Sequence, residues 1–260
     1  MALRTCILGS GSSGNCTFVG SESTHVLIDA GLSAREIERR LEQVGVDPAT
    51  IQGICVSHEH QDHTAGLRVL HTRYGIPIYA NSGTIGGLAR DEKLGAIPWR
   101  IFTTGMPFAL GDLTIEPFSV PHDAYDPVGF VIACAGARVG VVTDMGISTA
   151  LIRERLRGCQ AIVVEANHDE QMLRDAQRPW HLKQRIMGRQ GHLSNQSAAR
   201  MIADIASPTL KQVFLAHLSH ECNRPDLARD TTCDSLMTSG HSHVKVSLTY
   251  PDRISDVWTG

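Results

Sequence analysis

The sequence gives little support to a cystine-stapled, membrane-spanning or nucleic-acid-coated protein. Cysteine is sparse, with 7 in 260 residues. The number is odd, the residues are scattered and no C-x-x-C pair occurs. That argues against a disulfide framework and against a Cys-rich zinc site. Aromatic residues reach only 5%. The longest apolar stretches, Gly129–Ala137 and Gly140–Val142, are interrupted by Gly, Arg and Asp, far short of the ~20 residues a membrane helix needs. The N-terminus shows neither a long apolar segment nor an A-x-A site, so the expected address is the cytoplasm, with no membrane partner. Excess charge of one sign is also missing: the formal net charge is −3, which leaves room for no more than a local basic patch.

Apolar residues and histidine are what the chain does have. Hydrophobic residues make up 42% of it, enough to bury a core and to exclude a largely disordered chain. The length fits one α/β domain over residues 1–260. Short apolar segments alternate with helical patterns. Strands are expected at Cys6–Leu8, Thr17–Val19, Val26–Ile28, Ile51–Val56, Ile76–Ala80, Leu113–Phe118, Val128–Ala133, Arg138–Thr143, Ala161–Glu165, Lys211–Ala216 and Val244–Leu248. A helix begins after Ser33, where Glu36 completes a capping box and Ile37, Leu41 and Val44 share one face. Others are expected around Leu67–Tyr74, Thr149–Leu156 and Gln196–Ala206. Hairpin-like pairs mixed with helices point to sheets covered by helices. Asp29, His58, His122, Asp144, Glu165 and His217 all fall just after strand ends, where α/β folds build their sites.

Among the 13 histidines, the densest group is His58-Glu59-His60-Gln61-Asp62-His63, directly after the strand Ile51–Val56. Three histidines and an aspartate at fixed places arise by chance only about six times per million start positions. Imidazole suits zinc and other first-row divalent ions, and carboxylate admits harder ones such as manganese. Four such side chains within six residues cannot all reach one ion. They divide between two, with His58 and His60 on one and Asp62 and His63 on the other.

This H-x-H-x-D-H pattern resembles that of the metallo-β-lactamase superfamily. The resemblance extends to Asp29 in Ile28-Asp29-Ala30-Gly31, His122 in Val120-Pro121-His122-Asp123, Asp144 in Thr143-Asp144-Met145-Gly146 and His217 in Ala216-His217-Leu218-Ser219. It implies an α/β fold, a four-layer αββα sandwich of two mixed sheets flanked by helices. It also implies two divalent metal ions at one edge, zinc or manganese, with iron(II) compatible. His122 would complete the first site and His217 the second. Asp144 would bridge both, and Asp29 would support the metal loop from outside. Aspartate at 144 separates the chain from secreted β-lactamases, which carry Cys or Ser there. His60 separates it from flavo-diiron reductases, which carry Glu.

Ser10-Gly11-Ser12-Ser13-Gly14-Asn15 resembles the SGSxGN signature of YycJ/WalJ-type exonucleases, as do Pro121–Phe130, Glu165-Ala166-Asn167-His168-Asp169 and Gly191-His192-Leu193-Ser194-Asn195. The resemblance implies a 5′→3′ DNA exonuclease using a metal-bridging hydroxide, with DNA preferred to RNA. One departure is Glu221-Cys222-Asn223-Arg224-Pro225, where that branch has two asparagines. In this reading His192 is the general acid, oriented by Glu165 or His168, and Asp62 is both ligand and partner to the nucleophilic water. The glycine-serine turn (Ser12, Ser13, Asn15) and the helix start (Ser194, Asn195) would contact phosphate through backbone N–H groups. Arg174, Arg178, Lys183, Arg185 and Arg189, with Trp180 and His181, would follow a nucleic-acid backbone. The competing reading is a small-molecule hydrolase of thioesters, lactones or cyclic phosphodiesters, with weak β-lactamase activity as a side reaction. A metal-bound, non-catalytic module is a third.

Overall fold

Short apolar runs punctuated by turns become strands here, and the strands sort into two mixed sheets. The computed structural model describes residues 2–89, 94 and 96–260. One sheet holds β1 (Arg4–Gly9), β2 (Cys16–Gly20), β3 (His25–Ile28), β4 (Ile51–Cys55), β5 (Ile78–Ala80), β6 (Arg100–Ile101) and β14 (Trp258–Thr259), in the order β14-β1-β2-β3-β4-β5-β6. The other holds β7 (Phe108–Leu110), β8 (Leu113–Ser119), β9 (Val128–Cys134), β10 (Ala137–Val142), β11 (Ala161–Glu165), β12 (Gln212–Ala216) and β13 (Lys245–Leu248), in the order β13-β12-β11-β10-β9-β8-β7. Each sheet is part antiparallel and part parallel. In the first, β3 to β6 run parallel; in the second, β10 to β13 do.

Side-chain alternation along the strands builds three apolar layers. Phe18, Leu27 and Ile54 pack outward against Ile37 and Leu41 of α1 (Ala34–Gln43) and Leu67 and Leu70 of α3 (Leu67–Tyr74). Their neighbours Val19 and Ile28 point the other way and meet Phe130, Ile132 and Phe214 of the second sheet. On the far side, Val131, Val164 and Leu215 face α5 (Ala150–Leu156) and α8 (Asn195–Ile205). The result is the expected helix–sheet–sheet–helix sandwich. Burying each Phe or Leu side chain contributes roughly 1.5–3 kcal/mol.

Local signals acted where they were strong. The Ser33 hydroxyl accepts from Glu36 N at the start of α1, and Ala161–Glu165 is a strand over the expected residues. Five helices were not foreseen: α2 (Gln61–Thr64), α4 (Ser82–Leu88), α6 (Glu170–Asp175), α7 (Trp180–Met187) and α9 (Pro225–Thr238). The longest, α9, buries Ala228, Thr232 and Leu236. That spacing is helical, but two of its three contacts are small or polar, so its apolar stripe is faint.

The strand ends carry the strain. Four described residues other than glycine have a left-handed backbone and all follow strands: Ala135 in the turn between β9 and β10, and Asp29 (φ 61°), Asp144 (φ 55°) and His217 (φ 53°) at the edge where the ligand-type side chains gather. Such conformations cost about 1–3 kcal/mol each and persist only where surrounding contacts fix them. Beside Asp29, Gly31 is closely confined. Its N–H donates to Asn15 O at 2.8 Å, and a Cβ there would run into the Asp62 carbonyl. Gly31→Ala should therefore lower stability by about 3 kcal/mol or more and dislodge the segment from His58 to His63. Thermal melts and metal titration of the variant check this; an unchanged melt removes Gly31 as the anchor of that loop.

Candidate metal centre

Six loops converge at one edge of the two sheets. The segment after β4 brings His58, His60, Asp62 and His63. The loops after β8, β10 and β12 bring His122, Asp144 and His217, β11 ends in Glu165, and the turn before α8 brings His192. Three ligand-type groups form, each with its atoms within 4.8 Å of one another: His58, His60 and His122; Asp62, His63 and His217; and His58, His63 and Asp144, which joins the first two. Asp144, Glu165, His192 and His217 make a fourth.

Hydrogen bonds on the outer side of the rings decide which nitrogen faces inward. His63 Nδ1 donates to Asp29 Oδ2 at 2.7 Å, and His217 Nδ1 donates to Glu165 Oε1 at 3.0 Å. His122 Nδ1 lies 3.2 Å from the Gly191 carbonyl. Carboxylates and carbonyls only accept, so each Nδ1 carries a proton, and Nε2 is the nitrogen that presents a lone pair once the ring is neutral, as a metal ligand must be. His58 follows by elimination. The Ser57 hydroxyl gives its proton to Asp29 Oδ2 at 2.8 Å, so it must accept from His58 Nδ1 at 3.0 Å. His58 Nε2 is then an inward acceptor.

The inward atoms need a cation. His58 Nε2 and Asp144 Oδ2 are buried with no hydrogen-bond partner, although Asp144 Oδ2 lies 3.0 Å from His63 Nε2. Lone pairs facing one another in a buried site are held apart from water at a cost of several kcal/mol unless positive charge lies between them. This donor set of imidazoles and carboxylates fits a divalent first-row ion.

The electrostatics follow from the same arrangement. Burial pushes the Asp144 carboxyl up, but the His217 and His63 imidazoles outweigh it and hold it well below the usual range. Glu165 is likewise raised by burial, yet His192 and His217 bring it down to about 2. Burial disfavours charge on His217, but Asp144, Asp62 and Glu165 lift it to about 10. His58 is pushed well down, first by burial and then by the charge of His63.

His192 sits at the rim, 22% of its side chain exposed. Its Nδ1 lies 2.6 Å from Glu165 Oε1, the oxygen that also receives His217, while Glu165 Oε2 accepts from Met145 N and Leu193 N. The partner of His192 is thus Glu165. His168 does not hydrogen-bond to it; His168 is buried, and its Nδ1 has no partner.

Several residues expected to contact substrate have side chains that hydrogen-bond within the protein. Asn15 is buried and braces Asp62, accepting from Gly11 N and donating toward Asp62 Oδ2 at 3.3 Å. Asn195 is fully buried in an amide pair with Asn223. Ser194 caps α8 and binds Glu170. Their side chains are short and their own segments need the hydrogen bonds. Ser12 and Ser13 remain exposed. The basic stretch is also less free than its composition implied, because Arg174, Arg178 and Arg185 are paired with Glu170, Glu221 and Asp123. Ser10, which opens the glycine-serine signature, accepts from His217 N through its Oγ at 2.8 Å, a contact the signature does not reveal, and Ser57 has no signal in the sequence beyond lying near a strand end.

Comparison with known proteins agrees with this geometry. The family model of the β-lactamase superfamily domain matches residues 24–218. Exodeoxyribonuclease YycJ of Bacillus anthracis is 36% identical over 247 residues, covering 92% of this chain and 91% of its own. Exodeoxyribonuclease WalJ of Streptococcus pneumoniae is 34% identical over 239 residues, covering 91% and 89%. The metallo-β-lactamase fold protein YhfI from Bacillus subtilis superposes with a TM-score of 0.76 at 18% identity, covering 100% of this chain and 99% of that one, a likeness of fold.

The charge pairs set a pH signature for protein stripped of metal by a chelator. The raised His217 contributes stability fully below its unfolded value of ~6.5 and loses it as pH rises through about 10. The depressed Glu165 contributes above 4.5 and loses it as pH falls toward about 2. Stripped protein should therefore melt highest between about pH 4.5 and 6.5 and weaken toward pH 10. Added metal should protect most on the alkaline side, because its ligands must be deprotonated. Melts with and without chelator across pH 5–10 test the pairing, and a flat profile for stripped protein contradicts it.

Proposed function

Because this chain belongs to the β-lactamase superfamily, in the branch of the YycJ and WalJ exodeoxyribonucleases, we propose that it is a metal-dependent 5′→3′ exonuclease that hydrolyses the phosphodiester bonds of DNA. The observation that carries the reading is the convergence of His58, His63 and Asp144 on one buried point, where His58 Nε2 and Asp144 Oδ2 have no hydrogen-bond partner. His58, His60 and His122 would hold one ion and Asp62, His63 and His217 the other, with Asp144 between them. Zinc and manganese both suit this set, and iron(II) is compatible. Divalent ions in such a centre polarise phosphoryl oxygens and lower the pKa of water to about 7.

The chain's own residues orient and protonate. His192 keeps Nδ1–H on Glu165, which leaves Nε2 to deliver a proton to the departing 3′-oxygen. Burial alone would lower its pKa, but the Glu165 charge outweighs that and raises it, which favours the protonated ring a general acid needs. Glu165 stays ionised because His192 and His217 outweigh the burial of its carboxyl, while Met145 N and Leu193 N hold its second oxygen in place. Asp62, fixed by Asn15, presents a carboxylate to the attacking water. Exposed Arg189, which has no ion-pair partner among the described residues, attracts the backbone of the strand.

The test is turnover of end-labelled single- and double-stranded DNA and RNA by metal-reconstituted protein, with a β-lactam and a thioester as counter-screens. Asp144→Ala and His60→Ala should abolish cleavage and lower bound metal measured by elemental analysis. His192→Ala should keep the metal and lose about 10²–10⁴-fold in kcat. An unchanged rate would remove His192 from the chemistry. Lactam or thioester turnover without phosphodiester cleavage overturns the nuclease reading.

A further inference from the structure

Beside the candidate centre, between the turn carrying Ser12 and helix α7, lies a cleft of about 220 Å³ that shares His192 with the centre. Leu182 and Ile186 of α7 give it one apolar wall, Ser12, Asn167 and Ser219 line it elsewhere, and Cys222 is part of the lining. Its rim carries two guanidiniums, Arg178 and Arg185. Each is held by one edge: Arg178 Nε lies 2.8 Å from Glu221 Oε2, and Arg185 Nε lies 2.6 Å from Asp123 Oδ2. A guanidinium has five N–H donors, so the remaining ones are free for an anion, in a direction the pair has already set. Asp123 and Arg185 also line a broader, more open groove with Arg189, which leads away from the cleft along the surface.

A small slot with one apolar wall, polar groups on its other sides and two carboxylate-held guanidiniums at its rim, opening onto the candidate centre, suits a base or sugar flanked by phosphates. Its volume lies below the roughly 300–1,000 Å³ of pockets that enclose a drug-sized ligand. We infer that this cleft receives a single unpaired nucleotide of the strand under attack, and that the open groove past Arg185 and Arg189 carries the rest of that strand. The inference rests on the phosphodiesterase reading above and adds to it: one nucleotide must leave its complement before cleavage. The slot sets where along the strand the bond is presented. Cys222 belongs to this slot, while Asn223 ties Ala166 O and Asn167 O to it from behind.

Calorimetric titration of metal-loaded protein with thymidine 5′-monophosphate and with inorganic phosphate tests it. Phosphate alone reports the centre, and the extra affinity of the nucleotide reports the cleft. The nucleotide should bind at least about tenfold more tightly than phosphate, and Leu182→Trp, which fills the slot, should abolish that difference. Should Leu182→Trp melt abnormally, Arg178→Glu decides, since its pair with Glu221 is partly exposed and surface pairs of this kind add little to stability. A nucleotide bound no better than phosphate, or an advantage intact in the folded variants, overturns the inference. DNA cleavage by the same preparations separates the two readings. Cleavage without a nucleotide advantage sinks the cleft alone. A nucleotide advantage without cleavage sinks the nuclease and keeps the slot as a nucleotide site.

Discussion

Everything at the working edge depends on outer hydrogen bonds that leave the imidazole lone pairs pointing inward. Asp29, Ser57, Glu165 and the Gly191 carbonyl each take a ring proton from the side away from the centre. Had these partners been donors, the rings would turn their N–H groups inward and repel a cation. The partners are themselves fixed. Asp29 accepts from Ser57 N and Oγ as well as from His63, and Glu165 is bound on both oxygens. Such outer contacts set the basicity and orientation of metal ligands as strongly as ligand identity does.

The sandwich is what makes this geometry rigid. Asp144, Glu165 and His217 follow parallel neighbours β10, β11 and β12, whose register is fixed by main-chain hydrogen bonds. Asp29 and His58 follow β3 and β4 in the other sheet. The apolar layer between the sheets, with Phe130, Ile132 and Phe214 fully buried, holds the two sets of strand ends opposite one another. The left-handed turns at Asp29, Asp144 and His217 then aim the side chains across the gap. Left-handed backbone at three positions of the candidate centre, and at no other buried non-glycine residue among those described, indicates that the fold stabilises a local geometry the sequence would not adopt unaided.

Much of this was legible in the sequence because it follows short-range rules. The H-x-H-x-D-H run, the acidic and histidine residues after strand ends, and the Ser33–Glu36 cap all act within a few residues. What was not legible depends on distant partners. Asn195 looks like a helix-start ligand until Asn223, 28 residues on, takes its amide. The cations of residues 174–189 look like a free basic stripe because two of their counter-charges, Glu221 and Asp123, come from other parts of the chain. Ser57 carries no pattern at all, yet it relays Asp29 to His58. The helix α9 escaped notice because an Ala/Thr/Leu stripe buries surface without a strong hydrophobic period.

The paired arginines bear on how a chain with a net charge of −3 can capture a polyanion. Three of the five cations in that stretch are not long-range attractors, since a neighbouring carboxylate screens each of them. What the pairs give in exchange is direction. An arginine pinned on one edge loses little further side-chain freedom when it meets a phosphate, so less of the contact is cancelled by ordering. Long-range attraction then falls to the metal centre and to Arg189, and the rim arginines act at contact distance. Selection by such a rim depends on the shape of the strand that reaches it more than on its charge, which is the property a nuclease working from a strand end requires.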